Sequence, residues 1–316
     1  MKNTKTHATR WLLGLCLSAP LAQAAVVVDY NGFADLSGLT TIGSATTALT
    51  ADGTVLRLTP ASSNKTGAAY STSAVTLGVN ATFSTTFQFR FTSAGGWDPA
   101  DGIVFVLAAS TSGIGSAGVG MGYSGVGNSV GIEFDTYNNA GYNLGNNDGN
   151  SSNHVSIDTN GVLSNTALTN VYGNGSCGFT NGTPRQNDHT VDGCMSNGHL
   201  WSVAIAYDGQ FLSVDLTDPA KGTVFHAIQD HAIDIAGVLG TNQAYVGFTS
   251  GTGAGWQNHD IVNWQFARTL ELVEPLNTVP EPGSLALLGA GLGLLGWSQM
   301  KKRFGHSAHE RANKAG

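Results

Sequence analysis

Positive charge is scarce in this 316-residue chain. Of 14 Lys and Arg, only Arg57, Lys65, Arg90, Arg185, Lys221 and Arg268 fall within residues 25–274, and that stretch holds 19 of the 21 acids, a net of −13 against −7 for the whole. Such a surface repels polyanions and argues against nucleic acid and anionic membranes as partners. Charged residues of either sign make up 11%, and no segment between 25 and 275 carries a sustained helical period, so long charged helices are excluded. Residues 232–239 allow one or two helical turns at most. Cysteine is nearly absent: of three, Cys16 lies near the N-terminus, and no histidine or second cysteine pair stands at zinc-finger spacing from Cys177 and Cys194. Glutamate is the most telling absence, because Glu133 is the only one before Glu271.

Glycine is plentiful, at 43 residues, and Ser, Thr and Asn fill the polar positions. Phe83, Phe87, Phe89 and Phe91 alternate with Ser84, Thr86, Gln88 and Arg90, which predicts a strand with one buried and one wetter face. Residues 200–207 and 210–217 flank Asp208-Gly209, a dipeptide suited to a tight hairpin turn. Val262, Trp264 and Phe266 alternate with Asn263 and Gln265. Many short strands joined by glycine-rich turns predict an all-β sandwich.

Both ends read as targeting segments. Lys2, Lys5 and Arg10 precede an apolar run, and Ala22-Gln23-Ala24 offers a small-residue cleavage site, so residues 1–24 read as a secretory signal peptide. In an exported chain the pair Cys177 and Cys194 reads as a disulfide worth about 3 kcal/mol. It would close an excursion over residues 170–198, read as a surface loop between strands. After a linker over 271–283, residues 284–303 combine a short apolar run with the basic cluster Lys301, Lys302 and Arg303, and a tail follows over 304–316. The apolar run of about 14–17 residues reaches only ~21–26 Å as a helix, short of a bilayer core of about 30 Å. Together with Val279-Pro280-Glu281-Pro282-Gly283 this end resembles the PEP-CTERM sorting signal of Gram-negative bacteria. That resemblance implies transient inner-membrane association, cleavage by an exosortase-type enzyme and release to the cell surface or extracellular matrix.

The stretch 131–137, Gly-Ile-Glu-Phe-Asp-Thr-Tyr, carries the chemistry. Strand alternation puts Glu133 and Asp135 on one face, with Cα atoms roughly 7 Å apart, where two carboxylates repel unless a cation lies between them. Hard oxygen donors suit one ion, and His154 suits a second, more nitrogen-tolerant one. The polar loop between adds the Tyr137 carbonyl, Asn138, Asn139, Asn143, Asn146, Asn147 and Asp148.

These residues, with Asp158, residues 100–107, and residues 245–249 and 259–266, resemble the legume-type (L-type) lectins and their bacterial relatives. The resemblance implies a concanavalin-like jelly roll of antiparallel sheets over residues 25–270. It implies that Glu133, Asp135, Asp148 and His154 hold a transition metal, usually Mn²⁺. Asp135, the Tyr137 carbonyl, Asn139 and Asp148 would hold Ca²⁺, with Asn147 and Asn146 as alternatives to Asp148 because the loop is longer than the legume pattern. It also implies a cis Ala100-Asp101 bond, sugar hydroxyls bound by Asp101 and Asn139, and a backbone N–H from Gly120 in the loop of Gly118, Gly120 and Gly122. Trp256, preferred to Tyr142, would offer an aromatic face.

The implied function is Ca²⁺- and Mn²⁺-dependent binding of glycans or extracellular polysaccharide, compatible with a homo-oligomer. The alternative is a structural matrix protein that keeps the fold without binding sugar. A glycoside hydrolase on this sandwich needs a second glutamate two or three residues after Asp135, and Tyr137 and Asn138 stand there instead. His189, His199, His226 and His231 have no Ser or Cys elbow beside them, so the chain is read as no enzyme.

Overall fold

The phenylalanine alternation resolves into one long central strand whose odd positions point into the molecule. The computed structural model describes residues 26–270 apart from Ser112, 141–147 and 180–187. The expected signal peptide, the linker, sorting segment and tail, and Tyr142, Asn143, Asn146 and Asn147, lie outside the described residues. Sixteen strands occur among those described: β1 (Val26–Tyr30), β2 (Leu39–Gly43), β3 (Thr46–Thr50), β4 (Gly53–Thr59), β5 (Thr66–Ser71), β6 (Val75–Thr76), β7 (Phe83–Gly96), β8 (Gly102–Ala108), β9 (Ser129–Asp135), β10 (His154–Thr159), β11 (Val162–Asn170), β12 (Trp201–Tyr207), β13 (Phe211–Thr217), β14 (Phe225–Ala232), β15 (Gln243–Gly251) and β16 (Gly255–Ala267). They form two antiparallel eight-stranded sheets. One runs β14-β13-β12-β7-β16-β4-β3 with β1 added to β16; the other runs β11-β10-β9-β8-β15-β5-β2 with β6 added to β15.

An aromatic layer joins the sheets. Phe87 from β7 meets Phe105, Phe134 and Phe248 of the opposite sheet, at ring separations of 6.1, 5.7 and 4.9 Å. The buried Trp264 indole N–H donates to Thr85 Oγ1 at 3.0 Å. Burying each such ring contributes roughly 1.5–3 kcal/mol, and the layer fixes the register of β9. A one-residue slip would drive Glu133 into the aromatics and Phe134 out of them.

The outer face of β7 is drier than its alternation predicts. Ser84, Thr86 and Gln88 are buried. The cause is cross-strand pairing: Gln88 lies opposite both Ser202 and Asn263, donates to Ser202 Oγ at 3.0 Å and accepts from Asn263 Nδ2. Polar side chains at the sheet's centre therefore cover one another. The outer face of the second sheet is also covered, by the loop carrying Met121, Tyr123 and Val126, which packs on Val104, Val106 and Tyr70.

The hairpin forms as expected between β12 and β13, with Gly209 at φ 99° and Asp208 Oδ1 accepting from the N–H groups of Gln210 and Phe211. The one α-helix among the described residues, α1 (Ile235–Leu239), is a single turn or so, begun by Asp234 and ended by Gly240. Among the described residues no helix is long and apolar enough to cross a membrane.

Candidate functional site

Register assembles the acidic cluster. In the β9–β10 pair, His154 lies opposite Asp135, Ser156 opposite Glu133 and Asp158 opposite Gly131. These residues share the outer face, while Ile132, Phe134, Val155 and Ile157 anchor both strands in the core. Glu133, Asp135 and His154 offer ligand atoms within 4.8 Å of one another, and all three are buried. Asp148 arrives from the intervening loop, held by the Asn139 N–H and by Asn165 Nδ2 at 3.3 Å. Asn165 also accepts from Ser156 Oγ at 2.9 Å, and its Oδ1 lies 3.1 Å from His154 Nε2. Neither Asn165 nor Ser156 was expected here. Asn165 sits at a β-bulge with φ 53°, and strand alternation alone does not place such a residue.

The electrostatics of this cluster are unfavourable as the side chains stand. Burial, and after it the charge of Asp158, holds Glu133 well above the ordinary carboxylate range. Burial and then Asp148 do the same to Asp135. Burial raises Asp158 and pushes Asp148 up to about 6, while it depresses His154 to about 4. Among the described residues no Lys or Arg pairs with these acids; Arg57 and Arg90 are taken by Asp260 and Asp52. Glu133 Oε1, Asp135 Oδ2, Asp158 Oδ2, Asn139 Oδ1 and His154 Nδ1 are buried without hydrogen-bond partners. A set of carboxylate and amide oxygens with one imidazole, desolvated and unpartnered, fits divalent cations.

A depression of about 260 Å³ adjoins this cluster, lined by Trp97, Asp101, Gly118, Val119, Tyr137, Asn139, Gly253, Ala254 and Gly255. Its floor is tightly held. The Ala100-Asp101 peptide is cis, the Asp101 N–H donates to Gly251 O at 3.1 Å, and the Asp101 carbonyl accepts from the Thr136 N–H and hydroxyl at 2.8 and 3.0 Å. Gln257 Nε2 backs Thr136 Oγ1 at 2.8 Å. Asp101 Oδ2 has no partner, and burial pushes this carboxyl up to about 8. A side chain at Gly253 would come within 3.2 Å of Gly118 Cα and 3.6 Å of Asp101 Oδ2, so glycine keeps this wall low.

Asp101, Asn139 and Tyr137 thus meet in one place next to Glu133, Asp135, Asp148 and His154. Two expected residues lie elsewhere. Gly120 is buried, with its N–H given to Ala117 O at 3.3 Å, and Gly118 and Val119 line the depression instead. Trp256 is half-buried against Gly95 and Gly96, because the β7–β16 pairing sets it opposite Gly95, where an added Cβ would stand 2.5 Å from its Nε1. Trp97 is the tryptophan that lines the depression, in the short Trp97-Asp98-Pro99 segment between the end of β7 and the Ala100-Asp101 bond. Cys177 and Cys194 are bonded, with Cα atoms 5.9 Å apart. His199 and His226 pair with Asp218 and Asp215 away from this cluster.

Comparison with known proteins agrees with this geometry. The legume lectin domain matches residues 26–282, and the PEP-CTERM protein-sorting motif matches residues 278–303. A galactose-binding lectin of Arachis hypogaea is 31% identical over 198 residues, covering 60% of this chain and 61% of that protein. Truncated lectin 2 of Medicago truncatula is 30% identical over 206 residues, covering 61% and 63%. The chain therefore spans about three fifths of the length of these curated relatives. Among solved structures, peanut lectin with a 9mer peptide superposes with a TM-score of 0.56 at 26% identity, over 77% of this chain and 97% of that one. Lectin II from Ulex europaeus, at 23% identity and a TM-score of 0.58 over 76% and 97%, shares the fold. Such lectins are carbohydrate-binding proteins and not enzymes. With two antiparallel sheets in this order and a family match across most of its length, the chain belongs to the legume lectin domain family and carries a PEP-CTERM sorting motif at its C-terminal end.

Proposed function

We propose that this protein is an exported lectin that binds glycans in the depression over Asp101 and Asn139, with Ca²⁺ and a transition-metal ion organising that floor. The observation that carries the reading is the pair of unpartnered buried oxygens, Asp101 Oδ2 and Asn139 Oδ1, in residues that line a depression beside an acidic cluster with unpartnered atoms of its own. Glu133, Asp135, Asp148 and His154 would hold the transition metal, Mn²⁺ in the first instance. Asp135, the Tyr137 carbonyl, Asn139 and Asp148 would hold Ca²⁺. The ions would supply the positive charge that lets Glu133, Asp135 and Asp148 share one dry site. Asp101 accepts hydrogen bonds from sugar hydroxyls, and a carboxylate does so with charge assistance. Asn139 turns its oxygen to the cluster and its NH₂ to the sugar. Tyr137 lends the ring's apolar side a surface.

The galactose-binding relative makes galactosides the first probes. The sorting motif supports exosortase processing, transient residence in the inner membrane and release to the cell surface or extracellular matrix. A glycan array read in Ca²⁺ and Mn²⁺, then in EDTA, then after the ions are restored, tests the reading. Binding that vanishes and returns is expected. Silence in all three conditions overturns it in favour of a matrix protein that keeps the fold without binding sugar.

A further inference from the structure

The depression ends in an exposed ring. Trp97 is 68% exposed, whereas Asp101, Asn139 and Tyr137 on the floor are 3%, 4% and 9% exposed. One exposed apolar side chain is ordinary; here the segment that bears it is fixed from three sides. The Trp97 N–H donates to Ala254 O at 3.3 Å, and four residues later the Asp101 N–H donates to Gly251 O at 3.1 Å. Between them, buried Asp98 Oδ1 accepts the Phe179 N–H at 2.7 Å.

Phe179 brings in the disulfide-closed excursion. Two residues before it, Cys177 takes both of its backbone bonds from Ser152: its N–H donates to Ser152 Oγ at 2.8 Å and its carbonyl accepts from the same hydroxyl at 2.6 Å. Asn153 holds the excursion from both ends, donating to Asn174 O and Gly193 O at 2.9 and 2.8 Å and accepting the Met195 N–H at 2.9 Å. The strap therefore runs from the loop ahead of His154 to the residue after Trp97, and the Cys177–Cys194 bond closes it.

A ring carried on a held backbone at a rim presents a large apolar face, and only its two side-chain torsions remain to be ordered on binding. The depression, about 260 Å³, falls below the roughly 300–1,000 Å³ of pockets for drug-sized ligands. It has room for one sugar ring, so the next ring of a chain must lie outside it, where Trp97 stands. Resting on the lectin reading above, we infer that Trp97 is a stacking platform for the second ring of an oligosaccharide, so that the protein prefers glycan chains to their terminal monosaccharide.

The test measures binding of methyl galactoside and of a galactose-terminated trisaccharide in Ca²⁺ and Mn²⁺, for the full chain and for Trp97→Ala and Trp97→Phe. The parent should bind the trisaccharide on the order of ten-fold more tightly. Trp97→Ala should remove that advantage, lowering trisaccharide affinity by a larger factor than methyl galactoside affinity, and Trp97→Phe should restore part of it. Acrylamide quenching of tryptophan fluorescence should fall with the trisaccharide and not with the monosaccharide, and this protection should be absent in Trp97→Ala, which separates Trp97 from the half-buried Trp256. Equal parental affinity for the two probes overturns the inference, as does equal loss for both in Trp97→Ala. Binding of neither probe overturns the galactoside-binding reading itself, and this inference with it.

Discussion

Chelation of the loaded protein should lower its melting temperature by an amount that grows with pH. An ion bound only by the folded state stabilises it by about 2.7 kcal/mol at a hundred times its Kd and about 4.1 kcal/mol at a thousand times. For a domain of this size each kcal/mol is about 2–4 °C, so one site alone should be worth about 5–15 °C. The sign of the pH dependence follows from the buried groups. Asp101 is pushed up to about 8, and Glu133 and Asp135 stand well above the ordinary range. A carboxyl whose folded pKa is raised contributes stability below its unfolded pKa and loses it as pH rises through the folded value. His154 and His259, depressed to about 4 and about 3, act in the opposite direction, but only below the unfolded histidine pKa near 6.5. Between about pH 6.5 and 8 the carboxyls therefore act alone. The stripped protein should lose stability across that window, while the loaded protein, whose ligands are held deprotonated by the ions, should hold or gain it. Differential scanning calorimetry at pH 6.5, 7.2 and 8.0, with and without EDTA after prolonged dialysis, reads both curves. A melting temperature indifferent to EDTA, or a gap that narrows as pH rises, would be incompatible with ions bound by these buried carboxyls.

Other substitutions separate the parts of the site. Asp135→Ala, which removes the carboxylate assigned to both ions, should abolish glycan binding and reproduce the chelated melting temperature even in excess Ca²⁺ and Mn²⁺. Asp101→Asn should abolish glycan binding while leaving most Ca²⁺ affinity, measured by calorimetric titration, because the amide keeps the shape and loses the charge; parental glycan affinity would place the sugar elsewhere. Intact mass of exported protein should be about 2 Da below its reduced form, as the Cys177–Cys194 bond requires, and two free thiols would contradict that. Mass spectrometry of surface material should find no peptide beyond about Gly283, and Glu281→Ala should strand the precursor in the inner membrane; intact tail peptides at the surface would mark residues 284–297 as a permanent anchor.

How far the sequence could be read depended on whether local periodicity or tertiary contact decided a position. Strand alternation carried Phe83–Phe91 and the outward pair Glu133 and Asp135, because a period of two is a property of the chain alone. The turn at Asp208-Gly209 was legible from its own dipeptide, whereas residues 232–239, which show no sustained helical period, were limited only to one or two turns, and a short helix forms at 235–239. Cross-strand effects were not legible. Gln88 looks solvent-facing in its own strand and is buried by Ser202 and Asn263, residues more than a hundred positions away. Asn165 reaches His154 and Asp148 only because a bulge turns it inward. The choice of tryptophan turned on geometry of the same kind: Trp256 lies in a glycine-rich loop region by sequence, yet pairing with β7 lays it on Gly95 and Gly96, and Trp97 is left at the rim.

The most direct test of a metal-organised sugar site is a crystal of the protein grown with Ca²⁺, Mn²⁺ and a galactoside, with anomalous scattering used to tell the ions apart. Mn²⁺ should lie among Glu133, Asp135, Asp148 and His154, Ca²⁺ should be shared by Asp135, the Tyr137 carbonyl, Asn139 and Asp148, and sugar hydroxyls should lie on Asp101 and Asn139. A galactoside bound away from Asp101, or ions that leave Asp135 uncoordinated, would contradict that arrangement.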